Sequence, residues 1–149
     1  MSDNTVGKVI GIALRTGVEA PMREVSSAIA REGGGLDGDV KPAPHRGITF
    51  IASRQWDAVQ RELGGDKPWH TRRANVLIEA DRLGQLVGRR VRLGEVEVEI
   101  NGETHPCGLM DELQPGLMTA LNPDLRAGVH GQVLRGGTFA VGDALTVID

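Results

Sequence analysis

The sequence predicts a mainly β protein, folded as a closed or partly closed β-barrel with a few short helices. Segments rich in β-branched residues recur with turn signals at roughly 8–12-residue spacing, which is typical of many short strands. The 21 glycines supply tight turns between these segments. Because the aromatic content is only 3%, the core must consist mostly of Val, Ile, Leu and Ala. Closing the sheet removes the exposed edges that short strands otherwise present.

Apolar, roughly alternating segments give the predicted strands in chain order. Val6–Leu14 (VGKVIGIAL) is the first, and Gly17 and Pro21 break it. Met22–Arg31 is compatible with a strand or a helix, and a strand is favoured. The later predicted strands are Ile48–Ala52, Ala74–Glu79, Arg89–Leu93, Val96–Ile100, Gly128–Leu134 and Ala140–Ile148. Gly142-Asp143 predicts a turn or bulge within the last of them. Gly94-Glu95 predicts a hairpin between two of them.

One longer helix is predicted directly after Ile48–Ala52. Ser53 suits its N-cap, because a serine hydroxyl can accept a hydrogen bond from a free amide in the first turn. Gly64-Gly65 ends the helix. The residues at helical spacing between these two points are Trp56, Val59, Gln60 and Leu63. Shorter helical segments are predicted at Arg82–Leu86, Leu109–Leu113 and Pro115–Leu121.

Length and charge limit the classes of function. The 149 residues predict a single domain over residues 1–149. A net charge of −3 argues against a nucleic-acid partner, which needs a concentrated basic face. No apolar run approaches the ~20 residues of a membrane span, and Met1–Thr5 lacks the features of a signal peptide. One cysteine makes no internal disulfide, so we expect a cytoplasmic protein without a membrane partner.

A glycine-rich stretch, Gly33–Gly38 (GGGLDG), formally matches the dinucleotide motif G-x-G-x-x-G. That interpretation requires a helix to begin at the last glycine. Pro42 and Pro44 keep the following chain extended and prevent such a helix. The glycines therefore indicate turns, in which Asp37 and Asp39 are expected to accept hydrogen bonds from backbone or arginine donors.

The single cysteine, Cys107, lies in Thr104–Gly108 (THPCG), directly after the predicted hairpin. As a structural residue it would be a small buried hydrophobe, and as a nucleophile it would need a cation that favours its thiolate. A zinc site would need His105 and His130 beside it, but their spacing matches no standard zinc pattern. The flanking His, Pro and Gly are poor strand residues, so the sequence favours a reactive sulfur on a loop.

Four segments, taken in order, resemble the MOSC domain, the family of the C-terminal domain of molybdenum cofactor sulfurases. The family patterns are G-[IL]-x-G-D, then R-R-N-[IL], then a Pro-Cys pair, then R-G-G-[VIL]-[YH]. The corresponding segments here are Gly35–Asp39, Arg72–Val76, Pro106-Cys107 and Arg126–His130. Ala74 is an insertion before the asparagine of the second pattern.

The resemblance implies a β-barrel that binds the molybdenum cofactor and a cysteine, Cys107, that carries sulfane sulfur or ligates molybdenum. It also implies that two arginines and an asparagine hold the pterin or its phosphate, with help from an acidic loop and a histidine. These implied cofactor-binding residues are Arg73, Asn75, Arg126, Asp37, Asp39 and His130. The histidine stands where a phenol is common in the family.

Three functions follow as alternatives. The first is a molybdenum-cofactor-binding or sulfur-carrier domain with Cys107 as the reactive atom. The second is a molybdenum-dependent reductase of N-oxygenated compounds, an activity found in the family. The third is a non-catalytic barrel that binds a small molecule. The sequence does not decide whether the chain is an enzyme. As an enzyme it would be a sulfur transferase or a molybdenum-cofactor-dependent oxidoreductase. The chain is too short for a pyridoxal-phosphate domain, so we expect a separate cysteine desulfurase or redox partner.

Overall fold

The computed structural model describes residues 4–17, 20–40, 47–105 and 108–149. Most of its strands belong to one β-barrel. Pro42, Pro44 and the predicted reactive residue Cys107 lie outside these ranges. The described strands are β1 (Thr5–Leu14), β2 (Arg23–Val25), β3 (Ser27–Ala30), β4 (Ile48–Ala52), β5 (Val76–Glu79), β6 (Arg90–Leu93), β7 (Val96–Glu103), β8 (Val129–Arg135), β9 (Gly137–Ala140) and β10 (Ala144–Val147).

Seven of the described strands form a closed ring in the order β10–β6–β7–β8–β4–β5–β1, because β1 also pairs with β10. Neighbours in the ring are antiparallel, except for the parallel pair β4 and β5. β2 pairs with the second half of β1, and β3 pairs with β9 in a separate two-stranded sheet. The predicted mainly β fold is confirmed, and the barrel is closed.

The parallel pairing of β4 and β5 requires a crossover connection, since a tight hairpin can join only antiparallel strands. Helix α1 (Ser53–Leu63) and a 3₁₀ turn at Trp69–Arg72 form this crossover. The chain therefore re-enters the barrel through Arg73, Ala74 and Asn75. This path brings the predicted arginine–asparagine segment to one end of β5.

Alternating side chains divide the core into two layers. On β4, Ile48 and Phe50 point into the barrel interior, whereas Ile51 faces the outer layer. Two short helices, α2 (Leu109–Leu113) and α3 (Leu117–Leu121), cover that outer face together with α1. Because both faces are covered, every residue of β4 is buried.

Helix α1 ends as predicted but begins differently. Gly64 adopts a left-handed conformation, φ 66°, and its amide donates to the carbonyls of the last turn. The predicted N-cap at Ser53 is wrong, because Ala52 occupies the cap position and no side chain caps the helix. Instead, the Arg54 amide donates to the Ala80 carbonyl at 3.3 Å, so a tertiary contact replaces a local cap. No helix in the described ranges is long and apolar enough to cross a membrane.

Two predicted strands are divided in the structure. Met22–Arg31 contains β2 and β3, so the favoured strand assignment is confirmed. The strand predicted at Ala140–Ile148 is interrupted where a turn or bulge was predicted, at Gly142-Asp143, because β9 ends at Ala140 and β10 begins at Ala144. Asp143 stabilises this turn by accepting a hydrogen bond from the Ala140 amide at 2.8 Å.

Candidate functional site

A cavity of about 160 Å³ lies where the ends of β1 and β7 approach the crossover between β4 and β5. Its lining residues are Arg15, Thr49, Arg72, Arg73, Thr104, His105, Leu109 and Met110. Three of these residues are arginines, and no carboxylate belongs to this described lining. The lining therefore favours an anionic ligand. We call it the arginine cavity.

The arginine cavity is assembled from five parts of the chain, one of which is β4 with Thr49. Arg15 directly follows β1, and Thr104 directly follows β7. Arg72 ends the 3₁₀ turn of the crossover, and Met110 belongs to α2. Because strand ends and a short helix meet here, side chains distant in sequence converge on a rigid framework.

The predicted reactive cysteine is flanked in sequence by lining residues. His105 precedes Pro106-Cys107, and Gly108 and Leu109 follow. Cys107 itself lies outside the described residues, so its predicted roles as reactive atom and metal ligand stay predictions. Across the four described ranges, no group of three His, Cys, Asp or Glu side chains is arranged to hold a metal ion.

Arg72 is almost fully buried, with 6% of its surface exposed. Its Nε donates to the Ala127 carbonyl at 3.0 Å, and its Nη2 donates to the Thr104 carbonyl at 3.3 Å. Its Nη1 contacts the Met110 sulfur at 3.9 Å. These three contacts are to uncharged atoms, and they orient the guanidinium.

The hydroxyl of Thr104 is a buried polar group at the arginine cavity. Thr104 is 3% exposed, and its Oγ1 has no hydrogen-bond partner among the described residues. A buried hydroxyl without a partner costs about 1–3 kcal/mol. Because Thr104 lines the arginine cavity, an oxygen atom bound there would remove this cost.

Arg73 connects the arginine cavity to a second cavity of about 220 Å³. Its Nη1 donates to the Ala20 carbonyl at 2.5 Å, and its Nη2 donates to the Gly17 carbonyl at 3.0 Å. Met22 and Leu113 give the second cavity apolar surface. Each cavity is smaller than the roughly 300–1,000 Å³ of a typical ligand site, so a larger ligand would occupy both.

The buried carboxylate of Asp39 binds the guanidinium of Arg15. The Asp39 side chain is fully buried, and it accepts hydrogen bonds from the Arg15 Nε at 3.2 Å and Nη2 at 3.0 Å. The Arg15 amide donates to the same carboxylate at 2.6 Å. The predicted acceptance of arginine hydrogen bonds by Asp39 is confirmed, and the Arg15 that it orients lines the cavity.

Asn75 lies behind the lining and is completely buried. Its Oδ1 accepts hydrogen bonds from the amide and hydroxyl of Thr49, both at 3.2 Å. Its Nδ2 donates to the Ala13 carbonyl and to Asp39, also at 3.2 Å. The inserted residue Ala74 is buried in the outer layer of the core. Asn75 therefore organises the lining residue Thr49, and its predicted contact with the cofactor stays a prediction.

Three further predicted site residues lie outside the described lining of the arginine cavity. Arg126 forms an ion pair with Glu62 at 2.8 Å, and the hydrogen bonds of this pair lower the pKa of the Glu62 carboxyl. Asp37 accepts hydrogen bonds from Arg31, which lower the pKa of its carboxyl and confirm the predicted arginine contact. His130, on β8, pairs in register with Thr49 of β4. The cofactor-binding roles of all three stay predictions.

Sequence reasoning did not select Arg15, Arg72 or Thr104. Arg15 carried one usable signal, because a charged residue directly after an apolar strand stands at a barrel end, where ligand-binding groups collect. Arg72 belonged to a matched arginine pair, of which only the second member was selected. Thr104 carried no signal beyond its closeness in sequence to Cys107.

Comparison with known proteins assigns the family. The MOSC domain model matches residues 37–146 of the sequence. The chain belongs to the MOSC domain family. Within this MOSC domain, the matched span contains every described lining residue of the arginine cavity except Arg15. No curated protein matches the sequence at the significance required.

Solved structures with the same fold as this MOSC domain have low sequence identity to it. The YuaD protein from Bacillus subtilis is 19% identical with a TM-score of 0.81, covering 95% of this chain and 94% of that one. YiiM from Escherichia coli is 14% identical with a TM-score of 0.73, covering 95% and 70%. YiiM from Geobacillus stearothermophilus is 16% identical with a TM-score of 0.71, covering 99% and 76%. At these identities the likeness establishes the fold alone.

Proposed function

We propose that this MOSC domain binds the molybdenum cofactor, with the anionic end of the cofactor in the arginine cavity. In this proposal Cys107 provides the sulfur atom that ligates molybdenum or carries sulfane sulfur. The observation that supports it is a cavity that has three arginines in its lining and a buried Thr104 hydroxyl with no hydrogen-bond partner among the described residues. The only cysteine of the sequence lies three residues after Thr104. A thiolate is a soft ligand that suits both molybdenum and a persulfide.

The donors of the arginine cavity fit the phosphate of such a cofactor. Planar guanidinium forks match two phosphate oxygens, and Thr104 can donate one further hydrogen bond. The second cavity, beyond Arg73, offers Met22 and Leu113 as apolar contacts for a ring. When bound, the cofactor would supply two-electron redox chemistry at its metal, while the chain binds and orients it.

As a sulfur carrier, the chain would take sulfur from a separate cysteine desulfurase. The Cys107 thiolate attacks the outer sulfur of the donor persulfide and forms a new S–S bond. The S–S bond of the donor breaks, and the donor cysteine leaves as a thiolate, so no external oxidant is needed. Cationic neighbours in a site of this kind favour the thiolate over the thiol. As a molybdenum ligand, Cys107 would instead work with a separate redox partner.

The first test measures metal and pterin in protein purified from a host that makes the molybdenum cofactor. We expect molybdenum and pterin to co-purify with the wild-type chain. Cys107→Ser separates the two roles of the cysteine: a ligand role predicts lost or weakened molybdenum retention, and a carrier role predicts unchanged retention. Wild-type protein that contains neither molybdenum nor pterin contradicts the cofactor proposal.

The second test follows sulfur directly by intact-protein mass spectrometry after incubation with a desulfurase and cysteine. In the carrier role, the wild-type chain gains the mass of one sulfur atom, and the gain disappears on reduction. Cys107→Ser is the matched control, because it replaces only the sulfur atom. If this variant gains the same mass, Cys107 is not the carrier.

A further inference from the structure

We infer that Arg15 is a specificity-determining residue that binds a phosphate group in the arginine cavity, and that Asp39 and Asn75 are positioning residues that hold it there. The inference rests on the proposed function for the identity of the complete ligand. Its own claim concerns an oxyanion, the Arg15 guanidinium that binds it, and the two side chains, Asp39 and Asn75, that determine where this guanidinium lies.

The guanidinium of Arg15 is held on one edge and available on the other. Its Nε and Nη2 donate to the buried carboxylate of Asp39, at 3.2 and 3.0 Å. A guanidinium has five N–H groups, so three of them remain for a ligand. The Arg15 side chain is 23% exposed whereas that of Asp39 is completely buried, and Arg15 lines the cavity.

Only an acceptor can occupy the position of the Asp39 carboxylate. Four N–H donors point at its two oxygens: the Arg15 amide and Nε at Oδ1, and Arg15 Nη2 and Asn75 Nδ2 at Oδ2. An ionised carboxylate has about four acceptor sites, which matches this number. An asparagine at position 39 would turn an NH₂ group toward donors, whichever way its amide is oriented.

Asn75 connects this arrangement to a second side of the cavity. Its amide oxygen accepts from Thr49 while its amide nitrogen donates to Asp39, so neither group is free to rotate. Thr49 and Arg15 both line the cavity. Asn75 therefore fixes two lining residues relative to each other, without being exposed itself.

A phosphate group is the ligand that suits this arrangement. The guanidinium of Arg15 provides paired donors for oxygen atoms, Arg72 and Arg73 add positive charge to the lining, and Thr104 provides a buried hydroxyl with no partner among the described residues. Asp39 already offsets the charge of Arg15. The contribution of Arg15 to affinity therefore depends on the direction of its N–H groups more than on its net charge.

The test is calorimetric titration of the full-length protein with inorganic phosphate, in a buffer free of phosphate and sulfate, with nitrate as a planar monoanion for comparison. We expect the wild-type chain to bind phosphate saturably and more tightly than nitrate. Arg15→Lys keeps the charge but loses the fork, and should weaken phosphate binding about tenfold, with a smaller effect on nitrate.

Asp39→Asn separates positioning from charge. It makes the cavity more positive, so a purely electrostatic role predicts tighter phosphate binding, and a purely structural role predicts unchanged affinity in the folded protein. The positioning role predicts binding about tenfold weaker. The matched control is Asp81→Asn, which removes a carboxylate from an exposed Arg–Asp pair, with Arg54 at 3.3 Å, that does not line the cavity; its phosphate affinity should equal that of wild type.

A double-mutant cycle tests whether Asp39 acts on phosphate binding through Arg15. Arg15→Gln removes the guanidinium but keeps the backbone amide that donates to Asp39. If Asp39 acts through Arg15, Asp39→Asn has no further effect on phosphate affinity in the Arg15→Gln background. If Asp39→Asn does not fold, the phosphate affinities of Arg15→Lys and Arg15→Gln are compared with that of wild type. Wild-type affinity in both variants contradicts the inference.

The inference and the proposed function fail separately. Wild-type protein that binds no phosphate, or an Asp39→Asn variant that binds it as tightly as wild type, overturns the inference, even if Cys107 accepts sulfur. Conversely, phosphate binding that depends on Arg15 and Asp39, in a chain that acquires neither cofactor nor sulfur, supports the inference and contradicts the proposed function.

Discussion

Arg73 lines both cavities, and its backbone adopts an unfavourable conformation. Its φ of 66° lies in the left-handed region, which costs a non-glycine residue about 1–2 kcal/mol. The backbone position is fixed because the Arg73 amide closes the 3₁₀ turn by donating to the His70 carbonyl at 2.9 Å. The guanidinium contacts with Gly17 and Ala20 offset part of the cost.

This conformation predicts different stabilities for two truncations of the same side chain. Arg73→Ala keeps the unfavourable φ, whereas Arg73→Gly relieves it, so the glycine variant should be about 1 kcal/mol more stable by urea denaturation. Both variants lose the guanidinium and should bind phosphate equally weakly. Equal stability of the two variants would contradict the assigned backbone conformation.

The ion pair of Glu62 and Arg126 predicts a pH-dependent contribution to stability. The hydrogen bonds from Arg126 lower the pKa of Glu62 in the folded chain. The stabilisation is therefore present above the unfolded pKa of Glu62 and is lost as the pH falls through its folded pKa. In an NMR titration, Arg126→Gln should raise the pKa of Glu62 toward its ordinary value.

The same variant has a second readout in stability. The difference in free energy of unfolding between wild type and Arg126→Gln should disappear in acid, below the folded pKa of Glu62. Because Glu62 is exposed, the difference at neutral pH should be small. A difference that persists after Glu62 is protonated would show that Arg126 stabilises the fold through other contacts, such as the Ala120 carbonyl.

Gly11 of β1 packs directly against the ring of Trp69 in the crossover between β4 and β5. A Cβ on Gly11 would lie 2.9 Å from the ring carbons of Trp69, closer than two such atoms can approach. Trp69 begins the 3₁₀ turn that ends at Arg72. Gly11→Ala should therefore destabilise the chain by about 1–3 kcal/mol and change the fluorescence of Trp69. Gly34→Ala, whose Cβ meets only ordinary contacts, should change stability by less than about 0.5 kcal/mol.

Strands and helices were predictable where a local signal determines them. The apolar run Ile48–Ala52 and the helix stop at Gly64 carry their own signals, and the structure has both. The Ser53 cap was wrong because a remote carbonyl, that of Ala80, satisfies the first turn. A tertiary contact of this kind leaves no periodic pattern in the sequence. The turn predicted at Gly142-Asp143 has local signals instead, and within it Asp143 accepts a hydrogen bond from the Ala140 amide.

Because β1 also pairs with β10, we expect the barrel to unfold as a single cooperative unit. Leu145 of β10 is 1% exposed and packs inside the barrel. Leu145→Ala should cost about 2–5 kcal/mol. Both tryptophans lie in the outer layer, so their fluorescence should report the same transition as circular dichroism. Two separate transitions by fluorescence and circular dichroism would contradict this coupling. The control for Leu145→Ala is Val141→Ala, at a residue that is 46% exposed, and it should change the free energy of unfolding only slightly.

The fold of the whole chain was more predictable than its site. Short strands and frequent turns imply a barrel, but the partners within a site depend on which strand ends meet. Asp39 and Asn75 were selected from local motifs, yet their hydrogen bonds go to Arg15 and Thr49, far away in the sequence. Arg15 became recognisable only once the barrel had brought β1 and β7 to the same end.

The four donors around Asp39 have a consequence for redesign of this domain. Arg15, Asp39 and Asn75 belong to three separate connecting segments, yet one carboxylate joins them. Exchanging any one of these segments with a relative would leave a buried carboxylate or amide without its partners, at a cost of about 1–3 kcal/mol per group. Loop grafting here must therefore transfer all three segments together from the same protein.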